Sequence, residues 1–206
     1  CLAGTYSRGA WLAVGISLLL YGLFKRSKPL MLIVMLIALW GIFLSPQTIK
    51  DRAASVFDFK NNTLLERHEL WSESLRMIEK KPWLGFGVNT YAKNEPFFKS
   101  GRLGIDNQYA HNGYLQIAAE IGLTGLLSFL AVLIYFFLSS FPVFTRANPA
   151  FGSMVGISFL FGILSFLIHS ATDTNLQSVL LVNSLWLAIG ITLSAKNCLD
   201  SQNLKT

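Results

Sequence analysis

Five apolar stretches, at approximately 7–24, 29–45, 113–139, 151–169 and 176–194, alternate with polar connections along the 206-residue chain. Each approaches or reaches the roughly 17–25 residues that an α-helix needs to cross a bilayer. Each is bounded by polar residues or proline, and none carries more than one ionisable group well inside it. Between the second and third lies one long polar segment, Pro46 to Asn112. The pattern predicts an all-α, polytopic transmembrane helical protein with five spans and one long loop.

The loop has internal order. Thr63-Leu64-Leu65-Glu66 matches the S/T-x-x-E pattern of a helix start, and the residue before Pro82 is disfavoured from helical geometry. Between them, a rotation of about 100° per residue gathers Leu64, Leu70, Trp71, Leu75, Met77 and Ile78 on one face. Glu66, Glu69, Glu73, Arg76, Glu79 and Lys80 fill the rest. Arg67 breaks the pattern by projecting from the apolar face beside Ser74. An unpaired buried charge costs several kcal/mol, so this guanidinium either meets a partner or snorkels to water. After the helix, Gly85 and Gly87 in Trp83-Leu84-Gly85-Phe86-Gly87 suit a tight turn where backbone approaches another surface. No βαβ context makes these glycines a dinucleotide fingerprint.

The third span opens at Asp106-Asn107-Gln108-Tyr109-Ala110-His111-Asn112-Gly113-Tyr114, which sets His111 at or just before a helix N-terminus, where exposed N–H groups favour anions. Ala118, Gly122 and Gly125 form a small-residue face suited to close helix packing. Asn112, Gln116 and Glu120 form a polar stripe at i, i+4, i+8. An ionisable group two turns into a membrane helix marks a site or a structural pair, and the stripe favours a pair with a neighbouring helix. Arg8, in Ser7-Arg8-Gly9-Ala10-Trp11, stands at the end of the first span, either as an interfacial arginine or as part of a site. His169 and Asp173 lie in a short polar turn between the last two spans, which needs no function of its own.

Charge changes the picture by orienting it. Hydrophobic residues make up 52% and charged residues 14% of the chain, with mean hydropathy +0.48, against about a quarter charged in a soluble domain. Of 17 Lys/Arg and 11 Asp/Glu, the segment 46–112 holds 10 and 8, leaving 7 and 3 for the other 139 residues. Lys25-Arg26-Ser27-Lys28, Arg146 and the tail lysines Lys196 and Lys205 fall on one side, which the positive-inside rule makes cytoplasmic. The N-terminus, the long loop and the 169–175 turn are then outside, and Arg8, Arg67 and His111 converge on that face from three segments. The net charge of +6 is dispersed and mixed in sign within the loop, which suits a solvated surface or a diphosphate-bearing lipid and not nucleic acid. Cys1 and Cys198, at opposite ends, imply neither disulfide nor metal site. No two histidines are spaced as metal ligands, and neither a G-x-S-x-G nor a Cys/His nucleophile pattern occurs. A chain that starts without Met inside an apolar phrase is expected to be a fragment of a longer membrane protein.

Taken together, Ser7-Arg8-Gly9-Ala10-Trp11, Arg67-x-x-x-Trp71, Pro82-x-x-Gly85-x-Gly87, His111-Asn112-x-Tyr114-Leu115-Gln116 and Glu120-x-Gly122-Leu123-x-Gly125 occur in this order. They resemble the O-antigen ligase and polymerase superfamily of bacterial membrane glycosyltransferases. The likeness covers roughly 5 to 170 and corresponds to the C-terminal half of a typical member, so residues 1–206 are expected to be the C-terminal part of a single glycosyltransferase domain.

The resemblance implies transfer of a glycan from an undecaprenyl-diphosphate carrier to a lipid- or glycan-borne hydroxyl acceptor. It also implies an inner-membrane location with the active face extracytoplasmic, and no cofactor or metal. The family's two arginines and loop histidine fall on Arg8, Arg67 and His111. Planar guanidinium groups match phosphate oxygens bidentately, and a neutral imidazole can take the acceptor hydroxyl's proton. The expected outcome is a single displacement with inversion. Asn112, Tyr114 and Trp71 complete the candidate substrate-binding set beside the two arginines, and Trp83 and Tyr91 offer further aromatic surface for sugars. Polymerase and protein O-oligosaccharyltransferase activities remain alternatives inside the family. Outside it stand a transporter fragment, which predicts polar residues through several spans, and a non-catalytic scaffold.

Overall fold

The computed structural model describes residues 7–43, 62–99, 109–146 and 151–203, and gives the backbone alone at positions 8, 30, 38–43, 62–64, 146, 151, 202 and 203. Cys1, Lys205 and the Asp106-Asn107-Gln108 phrase lie outside the described residues. Among the described residues there are helices and turns and no strand, as the apolar periodicity requires.

Helix α1 spans Arg8–Lys25, with Ser7 as N-cap accepting from the Ala10 amide at 3.3 Å. It ends at Arg26, left-handed at φ 49°, and α2 follows over Lys28–Phe43. Helix α3 runs Asn62–Lys80, within a residue of the limits set by Thr63 and Pro82. A short helix α4, Tyr91–Asn94, continues into a 3-10 turn at Glu95–Phe98. Helix α5 occupies Gly113–Arg146, interrupted at Gly122 (φ 75°, ψ 177°). Helix α6 spans Phe151–Ser170, and after a 3-10 turn at Asn175–Gln177, α7 spans Val179–Asn203.

Among the described residues, three helices are long and apolar enough to cross a membrane, at Gly113–Thr145, Gly152–Ser170 and Val179–Ser201, and a shorter apolar helix covers Gly9–Lys25. The third span thus continues past residue 139 to Arg146, through Pro142. The last one begins three residues later than its apolar stretch, because residues 175–177 form the 3-10 turn.

Among the described residues, two cores organise the fold. Leu133, Phe136 and Phe144 of α5 pack with Ile157, Leu160, Ile163 and Leu167 of α6 and with Leu185, Ile189 and Leu199 of α7. Against the edge of this bundle, Tyr21 of α1 meets Phe161 edge-on at 5.0 Å between ring centroids. The second core is small: Met77, Tyr91, Ala110 and Ala119, with Ile78, Phe86 and Phe98 beside them. It fastens α3 and α4 to the first turns of α5.

The buried stripe of α3 is Leu70, Glu73, Ser74 and Met77, rotated from the face that hydrophobicity alone assembles. Leu75 is instead 50% exposed. The cause is Tyr91, buried against α3 with its hydroxyl 2.8 Å from the Ser74 hydroxyl, so that a polar residue is required at the centre of the contact. Arg67 precedes Leu70 by one turn and is half-buried, on the stripe as its spacing predicts.

Candidate active site

The end of the bundle where α1 and α5 begin and α6 finishes gathers the chain's polar chemistry. The α6–α7 turn carries it. Asp173 Oδ2 lies 3.4 Å from His169 Nε2, and Asp173 Oδ1 lies 3.9 Å from His111 Nδ1. The Thr174 amide donates to Asp173 Oδ1 at 2.8 Å. His111 first and His169 second hold the Asp173 carboxyl well below the usual carboxylate range, against the opposing pull of burial. On the far side of His169, Nδ1 meets the Asn175 side-chain amide at 2.9 Å. With that amide donating, the neutral ring carries its proton on Nε2, pointed at Asp173 and at Ser7 Oγ, 3.4 Å away.

Ser7 brings the first span into the group. A side-chain carbon at Gly9 would run into Thr172 Oγ1 and the His169 ring, so the missing Cβ lets α1 seat directly on the α6–α7 turn. The Arg8 backbone, between Ser7 and Gly9, therefore starts its helix beside His169 and Asp173.

His111 reaches the group through an unusual backbone. Its φ of 48° is left-handed, a region costing a non-glycine residue roughly 1–2 kcal/mol, and it holds only where the surroundings fix it. Asn112 does so on one side: its Oδ1 accepts the amides of Tyr114 and Leu115 at 3.0 and 3.1 Å, capping α5. Tyr114 adds a brace by donating its hydroxyl to the Leu167 carbonyl of α6 at 2.8 Å. His111 Nδ1 is buried with no hydrogen bond, while the side chain as a whole is 38% exposed. The exposed part of the ring thus lies away from Nδ1, the nitrogen nearest Asp173.

Sequence reasoning places His111 and Arg8 at one end of the bundle, and the structure brings their segments together. It reads His169 and Asp173 as residues of a turn that needs no function of its own; the structure sets them between Ser7 and His111. Asn112 and Tyr114 are committed to the helix cap and to α6. Tyr91, offered above as a sugar-facing aromatic, is buried at 1% exposure and spends its hydroxyl on Ser74. Burial pushes its phenol well above the usual value. Trp83 is 66% exposed, and Trp71 is half-buried with its indole N–H enclosed and not hydrogen-bonded.

The glycines of the loop do as their spacing predicts, against an unexpected partner. Gly85 (φ 63°) and Gly87 (φ 116°) press the loop onto α5 at its interruption. Phe86 N donates to Ala119 O at 3.0 Å, Gly87 N to Glu120 O at 2.7 Å, and Leu123 N to Pro82 O at 2.7 Å. A Cβ on Gly122 would strike the Trp83 backbone. The small-residue face expected to admit a neighbouring helix thus admits, at Gly122, the loop's own backbone.

Below the Ser7–His169 contact, a half-open groove of about 470 Å³ runs between α1 and α6. Leu18, Tyr21 and Phe161 line it, with hydroxyls from Ser17, Ser158 and Ser165. Among the described residues, no group of three or more His, Cys, Asp or Glu is placed to hold a metal ion.

A family profile described as O-antigen ligase matches residues 1–130, which include Arg8, Arg67 and His111. The chain belongs to the O-antigen ligase family. A protein of Pseudomonas aeruginosa PAO1 named O-antigen ligase is 31% identical to it over 127 residues, covering 61% of this chain and 27% of that relative. The chain therefore matches about a quarter of the length of that relative. Membership and the three long apolar helices make it an integral membrane protein.

Proposed function

We propose that this chain is the part of an O-antigen ligase-like glycosyltransferase that carries its reacting groups. The enzyme transfers a glycan from an undecaprenyl-diphosphate carrier to a hydroxyl on a lipid- or glycan-borne acceptor, at the extracytoplasmic face of the bacterial inner membrane. The observation that carries this reading is His111: strained, half-open and backed by an ionised carboxylate at 3.9 Å, in a chain of this family.

In the proposed reaction, His111 accepts the acceptor hydroxyl's proton as its oxygen attacks the anomeric carbon. The bond to the carrier diphosphate breaks on the opposite side, which inverts that carbon. Asp173, 3.9 Å from Nδ1, stabilises by charge attraction the imidazolium that forms. Arg8 and Arg67 take the departing diphosphate, whose growing charge suits bidentate guanidinium contacts. The groove between α1 and α6, apolar and level with the membrane helices, supports a donor that arrives on a lipid chain. The Lys25-Arg26-Ser27-Lys28 cluster stands at the opposite end of α1 from Ser7, which supports an active face away from the cytoplasm. Transport is the weaker reading, because the polar groups collect at one end of the bundle.

The test is glycan transfer by the full-length protein carrying His111→Ala, with expression and insertion verified. A general base contributes about 10²- to 10⁴-fold, and a loss of that size is expected. Near-normal transfer would overturn the assignment. Running lipid A core, repeat-unit and protein acceptors in the same assay separates ligase, polymerase and protein-glycosylating activities.

A further inference from the structure

Glu120 takes no part in the group around Asp173, and its carboxylate is not needed merely to attach the loop. The backbone bonds from Phe86, Gly87 and Leu123 already dock it. The side chain nevertheless collects three donors. Its Oε2 accepts the Asn89 amide at 2.9 Å, and its Oε1 accepts the Tyr91 amide at 3.2 Å and Gln116 Nε2 at 3.2 Å.

The third of these donors leads to the site. A carboxylate has no hydrogen to give, so it turns the NH₂ end of Gln116 towards itself and the carbonyl end away. That carbonyl accepts the amide of Ala110 at 3.2 Å, the residue before left-handed His111. The other two donors lead to α3. Tyr91, held by its amide, sets its hydroxyl on Ser74 at 2.8 Å, two turns along the same stripe from Arg67.

We infer that Glu120 is a positioning residue: acting through Gln116 and Tyr91, it fixes the turn bearing His111 relative to the helix bearing Arg67. The inference rests on the roles proposed for those two residues. Charge-assisted acceptors are about twice as strong as neutral ones, and one carboxylate here serves both arms. Its loss leaves Gln116 free to flip and releases the Ala110 amide, so the His111 ring is no longer held in one place. A misplacement of about 1 Å costs on the order of 10²-fold in rate.

The experiment uses the full-length protein in lipid nanodiscs, in a cysteine-free background with spin labels at Leu65 and Tyr109. Both are exposed, at 50% and 39%, and they report α3 and the His111 turn. The expected result is a single narrow inter-spin distance that broadens or shifts in Glu120→Gln and Glu120→Ala. Turnover falls about 10- to 100-fold, with donor KM unchanged within about threefold. The exchange Gln116→Glu with Glu120→Gln reverses the pair's polarity but again offers Ala110 an acceptor, and it recovers part of both signals.

An unchanged distance distribution in Glu120→Gln overturns the inference, and this variant decides it if Glu120→Ala fails to insert. Broadening with full turnover overturns the claim that His111 is what Glu120 positions. Failure of the general-base reading shows separately, as transfer surviving His111→Ala while the distances still respond to Glu120.

Discussion

Asp173 lies between two imidazoles, its Oδ2 3.4 Å from His169 and its Oδ1 3.9 Å from His111. The three groups come from the last turn of α6, the turn that follows it and the segment before α5, so the carboxylate joins elements that the sequence holds 62 residues apart. Under the proposed chemistry it has one use above others, which is to stand as the anion behind a base that becomes a cation.

That use gives a pH-dependent prediction. The Asp173 carboxyl is depressed below its ordinary value of 3.8, so its interactions are fully present above that value. They are lost only as pH falls through the lower, folded-state value. Asp173 therefore stays ionised through the neutral range and does not itself create the acid limb of a pH–rate profile. Asp173→Asn is expected to lower kcat about tenfold, equivalent to roughly 1.4 kcal/mol of barrier, through loss of the anion beside His111. Asp173→Glu keeps the charge and should recover part of that loss. Equal losses in the two variants would point to a purely structural carboxylate.

Gly122 supplies a prediction about stability. Its φ of 75° and the contact with Trp83 leave no room for a side chain, and strained backbone of this kind costs about 1–3 kcal/mol. Gly122→Ala should release the 82–90 loop before the bundle melts. Proteolysis of the full-length protein in detergent checks it: cleavage within the loop should accelerate, while α6 and α7 stay protected. Equal loss of protection throughout would mean that α5 needs this geometry for the whole fold.

How much of this was legible follows from the distance over which each feature is encoded. The limits of α3, the half-buried position of Arg67 and the close approach at Gly85 and Gly87 depend on residues a few positions apart, and local spacing predicts them. The Gln116–Glu120 pair is also local, at i, i+4 on α5. Its outer partners are not, because the amides of Asn89 and Tyr91 belong to a loop whose docking depends on a helix break at Gly122. Apolar periodicity runs straight through that break. His169 and Asp173 escape for the same reason: a short polar turn looks complete in itself until Ser7, 162 residues away, is found on the His169 ring. The left-handed turn at His111 has a weak signal in the Ala110-His111-Asn112 phrase, since Asn112 is a natural helix cap.

Gly9 offers a test of the contact between the first span and the site. Space for a Cβ is closed by Thr172 of the α6–α7 turn and by the ring of His169 at the end of α6. Gly9→Val should lift α1 from that turn and carry the Arg8 backbone with it, costing about 1–3 kcal/mol as overpacking. Glycan transfer should fall further than the amount of inserted protein does. The two measured together decide the matter, because a fall in insertion alone would make Gly9 a packing residue with no bearing on the site.

Arg67 is the residue for which charge and geometry separate most cleanly. A lysine keeps the positive charge and much of the aliphatic stem, so a side chain that only snorkels to lipid headgroups tolerates the exchange. Diphosphate recognition does not, because an ammonium replaces a planar fork that meets two oxygens at once. Arg67→Lys is accordingly expected to insert normally and to lose most transfer activity, with an increase in donor KM accompanying the loss in kcat. Arg67→Gln retains amide donors without the charge, and it should be weaker still if charge neutralisation dominates at the departing diphosphate. Transfer close to that of the parent protein in the lysine variant would assign Arg67 to membrane anchoring, and leave the diphosphate to Arg8 and to residues elsewhere in the enzyme.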